Sequence, residues 1–254
     1  MKSFVSKAAG ARLRFLEIDG GGTPLIMIHG LGCASSYEYP DVALSPALRE
    51  RHVILIDLLG FGYSDHPVDF GYRMEDHAEV VAQFIEAVSL DRIDLYGHSM
   101  GGSVAVEVAH RLQSRIGNLV LSEANLDSGG GQFSRNIAAS NEADYVRHVH
   151  VETVADALAA GNCDWAATMR LCSPLAVHRG ARSLVEGVEP SWRDRFYQHP
   201  AHRAFIFGER SLPDPDVAVL GARGIQVLIV KNSGHSMGLE NPTELASAIA
   251  EAIS

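Results

Sequence analysis

The stretch IDLYGHSMGGSVAVEV, residues 93–108, decides how this chain is read. IDLYGHS has the length and composition of a short strand. GGSVAVEVAHRLQSR, residues 101–115, carries apolar residues at helical spacing. Between them lies Gly97-His98-Ser99-Met100-Gly101, a G-x-S-x-G pattern. A strand that passes straight into a helix needs a sharp turn, and bulky side chains beside the serine would collide there. Such a turn pushes the Ser99 hydroxyl out at the C-terminal edge of a sheet. It also sets the Met100 N–H at a helix N-terminus, where a developing negative charge is stabilised. An incidental serine in a glycine turn would show the same five residues. The strand before and the helix after favour the chemical reading.

A serine hydroxyl is a weak nucleophile and needs a base. The chain has 12 histidines. His235, in NSGHSMG, follows the last apolar run and precedes the closing helix, which places it at the same sheet edge as Ser99. His29, His98, His148 and His202 read as turn residues. The turn HGLGCASS, residues 29–36, follows an earlier strand. It makes the Leu31 N–H the candidate second oxyanion donor beside that of Met100. Gly30 and Cys33 in this turn, Met237 beside His235 and Trp165 further along are candidate substrate contacts.

Outward from the motif, short apolar runs recur: LIMIHG (25–30), VILIDLLG (53–60), LVLSEAN (119–125), AFIFGE (204–209) and VLIVKNSGH (227–235). Runs this short and apolar suit strands covered on both faces. RLRFLEID (12–19) alternates and suits an antiparallel edge hairpin. MEDHAEVVAQFIEAVS (74–89) and PTELASAIAEAIS (242–254) are helical, with Pro242 at a first helical position. The alternation predicts an α/β fold: a doubly wound, mostly parallel sheet of eight strands or slightly fewer. Residues 127–200 break the alternation with broken helical segments and no convincing strand. The expected organisation is a core built from 1–126 and 201–254, with a helical cap inserted at 127–200.

The 254 residues, 46% hydrophobic and 20% charged, suit one large globular α/β domain. A net charge of −10 argues against nucleic acid, which needs a basic face, and against an anionic membrane surface. Three unevenly spaced cysteines suggest neither a disulfide framework nor a zinc site. No apolar run suits a signal peptide or a membrane span. The expectations are therefore a cytoplasmic monomer or homodimer that acts on a small molecule without a metal or organic cofactor.

Taken together, HGLG (29–32), DLLGFGYS (57–64), GHSMGG (97–102) and GHSM (234–237) resemble the α/β-hydrolase superfamily in order and spacing. The resemblance covers nearly the whole chain except 127–200. It implies a nucleophile Ser99, a base His235 and a turn-shaping role for Asp57. It leaves the substrate open, because this fold hosts many chemistries. It also raises a difficulty. Most members carry an aspartate three residues after the glycine that ends the strand AFIFGE. Here that position, three after Gly208, is Ser211, which cannot hold the charge that stabilises an imidazolium. Glu123 ends the strand expected beside that of Ser99, and some members place the acid there. Glu123 is thus the leading candidate, ahead of Asp127 and Asp214. Asp216 belongs to the same proline-spaced turn as Asp214, and Glu209 reads as a solvated or ion-paired turn residue. The resulting expectation is a Ser99–His235–Glu123 hydrolase of a small, apolar carboxylic ester or lactone. The alternatives are carbon–carbon bond cleavage of a diketone by the same triad, and a non-catalytic hydrolase-fold receptor.

Overall fold

The structure is a computed structural model and describes residues 1–254. Eight strands form one sheet: β1 (Lys2–Ser6), β2 (Ala11–Ile18), β3 (Gly21–Ile28), β4 (Arg51–Asp57), β5 (Ile93–His98), β6 (Ile116–Ser122), β7 (His202–Gly208) and β8 (Gln226–Val230). Their spatial order is β1-β2-β4-β3-β5-β6-β7-β8. β1 and β2 are antiparallel to their neighbours, and β3 to β8 run parallel. This is the expected doubly wound α/β sheet.

The order reverses at β3. From β3 the chain crosses to β4 on one side, and from β4 it returns to β5 on the other. The turns that follow β3 and β5 therefore part, and a crevice opens at their C-terminal ends. Register places Ile28 beside Gly97 and His98 beside Ser122, so residues 29–32, 98–100 and 123–125 emerge at one edge.

The central strands read as apolar runs because both faces are covered. Leu25, Ile26, Met27 and Ile28 are all fully buried. The helices Met74–Ala87 and Met100–Leu112 pack on one face, and Pro242–Ala252 packs on the other. The alternating segment β2 forms the expected antiparallel hairpin at the sheet edge, with β1 as its outer strand. One expectation needed revision. β8 is less covered than its apolar letters suggested, with Ile229 45% exposed, because an edge strand has a neighbour on one side only.

Between β6 and β7 the chain is helical, with no strand. Its longer helices are His150–Ala159 and Pro174–Glu186. The segment is fastened to the rest at several points. The Ser173 N–H donates to the Gly60 carbonyl (2.8 Å), Tyr37 Oη donates to Asp164 (2.7 Å), and Arg73 pairs with Glu186 (2.8 Å). The Trp165 indole N–H donates to the Leu31 carbonyl (2.9 Å), so this segment touches the turn expected to bind an oxyanion.

Candidate active site

Ser99 sits between β5 and the helix Met100–Leu112 with φ 51° and ψ −119°. A non-glycine residue here stores strain, which persists only where the surroundings enforce it. Close packing enforces it. A Cβ on Gly97 would lie 2.4 Å from the Gly101 carbonyl, and one on Gly101 would lie 2.4 Å from the carbonyls of Ile28 and His29. Both glycines of the motif are thus demanded by contact. The Ser99 N–H donates to the Ser122 carbonyl (2.9 Å), which ties the turn to β6.

His235 and Glu123 meet across the same edge. His235 Nδ1 lies 2.7 Å from Glu123 Oε2. The other carboxylate oxygen, Oε1, accepts the Gly208 N–H at 2.9 Å. Burial pushes the Glu123 carboxyl upward. Hydrogen bonds from His235, the Ser211 hydroxyl and the Gly208 N–H outweigh it and bring it to about 2. Glu123 is therefore ionised across the neutral range and is an acceptor for His235 Nδ1. Its side chain is 11% exposed.

The competing carboxylates lie elsewhere. Asp127 pairs with Arg193 at 2.7 Å, and Asp216 pairs with the same guanidinium at 2.8 Å. Asp214 accepts the Asp216 N–H at 2.8 Å, which is turn chemistry. Glu209 accepts the Asn232 N–H at 2.9 Å and so holds the loop that leads to His235. Asp57 accepts from the Ser36 and Tyr63 N–H groups and shapes two turns, as expected of it.

The turn after β3 completes the edge. Its hydrogen bond runs from the Cys33 N–H to the Gly30 carbonyl (3.3 Å), and the Leu31 N–H stays unengaged. The Met100 N–H is the first of its helix and has no partner within it. Met100 directly follows Ser99, and Leu31 borders the same cavity as Ser99.

A cavity of about 440 Å³ opens at this edge, bordered by Gly30, Leu31, Ser99, Glu123, Trp165 and His235. Cys33 is also in its wall. Burial, then the Glu38 charge, push the Cys33 thiol well above its ordinary range, so it is no thiolate nucleophile. Met237 does not border the cavity. It is 1% exposed and packs in the core with Tyr39 and Leu245, because the one-turn helix it opens points that side chain inward; its neighbour Ser236 borders the cavity instead.

Other wall residues were not legible beforehand. His98, read as a turn residue, closes β5 and is 3% exposed, with its ring 4.6 Å from that of His235. Burial holds it down at about 3, so it is a neutral wall of the site. Glu38, Asn125, Gln132 and Asn162 also border the cavity. Only proximity in space assembles them, and no spacing rule links them to Ser99.

Comparisons with known proteins agree with the fold. Residues 23–204 match the family model described as alpha/beta hydrolase fold, and the chain belongs to that family. Over 115 residues it is 36% identical to a 2-hydroxymuconate semialdehyde hydrolase of Pseudomonas sp. (strain CF600), covering 45% of this chain and 40% of that protein. Over 111 residues it is 34% identical to haloalkane dehalogenase 2 of Mycobacterium tuberculosis, covering 43% of this chain and 37% of that protein. The matched stretch thus spans about two fifths of these relatives. A thermophilic esterase from Thermogutta terrifontis shares the fold at a TM-score of 0.80 and 22% identity, over 98% of this chain and 96% of that one. No helix is long and apolar enough to cross a membrane.

Proposed function

We propose that the chain is a serine hydrolase of carboxylic esters or lactones. The observation that carries this reading is the 2.7 Å contact between His235 Nδ1 and Glu123, in the wall of the cavity that also holds Ser99. In this mechanism Ser99 Oγ attacks the acyl carbonyl and its proton passes to His235 Nε2. Glu123 stabilises the imidazolium. The Leu31 and Met100 N–H groups receive the oxyanion. The tetrahedral adduct collapses, His235 returns the proton to the leaving alkoxide, and an acyl-enzyme remains. Water, deprotonated by the same histidine, then releases the acid.

The cavity modifies the expected substrate. Gln132, Asn125, Asn162 and Ser134 border it, so a substrate that is apolar throughout would leave polar groups desolvated. A small ester or lactone with a polar substituent is the better match. The same polarity favours one further reading, in which the triad cleaves a carbon–carbon bond of a diketone, a substrate polar at both carbonyls.

The test is hydrolysis of p-nitrophenyl acetate and butyrate by the wild type and by Ser99→Ala, with intact-mass detection of an acyl adduct. Turnover and an adduct in the wild type, both absent in the variant, support the reading. Unchanged turnover in Ser99→Ala refutes it.

A further inference from the structure

We infer that Glu38 determines specificity by hydrogen-bonding a hydroxyl group carried on the substrate near the scissile carbonyl. The inference rests on the Ser99-centred hydrolase reading above. Glu38 closes the one-turn helix Ser35–Glu38, directly after the HGLG turn. That helix is firmly seated. The Ser36 N–H and hydroxyl both donate to Asp57, at 2.9 and 2.7 Å, and the Ser35 hydroxyl donates to the Met27 carbonyl at 3.2 Å. The Glu38 side chain is therefore held from behind. It also packs under the histidine loop, where a Cβ on Gly238 would lie 3.1 Å from Glu38 Cγ.

The residue is 5% exposed and borders the catalytic cavity. Its Oε2 is shut off from solvent and has no hydrogen-bond partner. A buried carboxyl oxygen without a partner is costly, and such atoms call for an explanation. Tyr39 Oη beside it is equally unpartnered. Even a hydrogen bond between the two would fill only one of about four lone-pair positions on the carboxyl. No cation is close enough to pair with it. Oε2 is sealed in beside Tyr39, so it is the small exposed part of Glu38, likewise without a hydrogen-bond partner, that borders the cavity and meets its occupant.

The chemistry of that occupant follows from the walls. Glu38, Glu123 and Glu240 border the cavity, and no lysine or arginine does. An anionic substituent would be repelled. Burial pushes Glu38 up to about 7, against the opposing influence of His235, so its neutral form is well populated near neutrality. A neutral carboxyl offers one donor and one acceptor, and a hydroxyl satisfies both. A hydrocarbon in the same place would leave the carboxyl unpaired, which is the arrangement that discriminates most sharply between substrates.

The experiment compares p-nitrophenyl butyrate with p-nitrophenyl 3-hydroxybutyrate. For the wild type we expect kcat/KM to favour the hydroxylated ester by roughly ten- to hundredfold. Glu38→Leu should erase that preference, and Glu38→Gln, nearly isosteric and still hydrogen-bonding, should keep part of it. In parallel, equilibrium binding of both esters to Ser99→Ala and to Ser99→Ala/Glu38→Leu reads the contact without turnover. If no ester is hydrolysed yet binding discriminates through Glu38, the hydrolase reading fails and the contact stands. If the preference survives Glu38→Leu in both assays, or if p-nitrophenyl 3-aminobutyrate is preferred to the hydroxylated ester, the inference is overturned.

Discussion

The turns after β6 and β7 differ in a way that explains the site. The turn after β7, Glu209-Arg210-Ser211, is where a carboxylate is usual in this family, and it contains none within reach of His235. The turn after β6 begins with Glu123, which does reach it. The two strands are parallel neighbours, so their ends lie about 4.8 Å apart. Glu123 must cross the end of β7 to meet the histidine that follows β8. It passes over Gly208, whose N–H it accepts and which has no side chain to obstruct it. The longer reach of glutamate over aspartate suits this span. The vacated turn still contributes: the Ser211 hydroxyl and the Gly208 N–H steady Glu123, the Arg210 N–H donates to the Ser233 carbonyl (2.8 Å), and the Arg210 side chain pairs with Glu240. In the proposed mechanism what must persist is a carboxylate at a point in space; the strand that supplies it can change.

The sharpest way to break this comparison is Glu123→Gln. It should cost on the order of 10²–10⁴ in kcat on p-nitrophenyl butyrate, the range for a lost triad acid. Asp127→Asn and Asp214→Asn should stay near wild type. Equal losses in all three would remove Glu123 from its role. A smaller effect is expected when the acid is moved back. Glu123→Gln/Ser211→Asp should regain about tenfold over Glu123→Gln alone, since Ser211 already lies against Glu123. No recovery would mean that the β7 turn no longer aims at His235.

The smallest effect concerns stability. Folding raises the Glu38 carboxyl from 4.5 to about 7, so the folded chain holds that proton more tightly than the unfolded one. The associated stability is complete below the unfolded value and is lost as pH rises through about 7. Glu38→Gln should therefore flatten the fall in Tm between about pH 5 and about pH 8. It should also stabilise the protein by up to about 3 kcal/mol at the upper end. Parallel Tm profiles for the two proteins would show that Glu38 is solvated.

By itself, the sequence determined the architecture and singled out Ser99. Contiguous apolar runs report strands covered on both faces, and G-x-S-x-G between a strand and a helix reports a turn that only glycines permit. Both signals are local, because each arises from the sterics of a few adjacent residues. Glu123 was reachable only by elimination, since its role depends on the absence of an acid 88 positions later, at Ser211. The tertiary structure alone decided the rest. It paired Glu123 with His235, turned Met237 into the core, made His98 a cavity wall and left Glu38 unpartnered beside the cavity that holds Ser99. These facts depend on which strand ends lie side by side, and hydrogen bonds across a sheet edge leave no periodic trace along the chain.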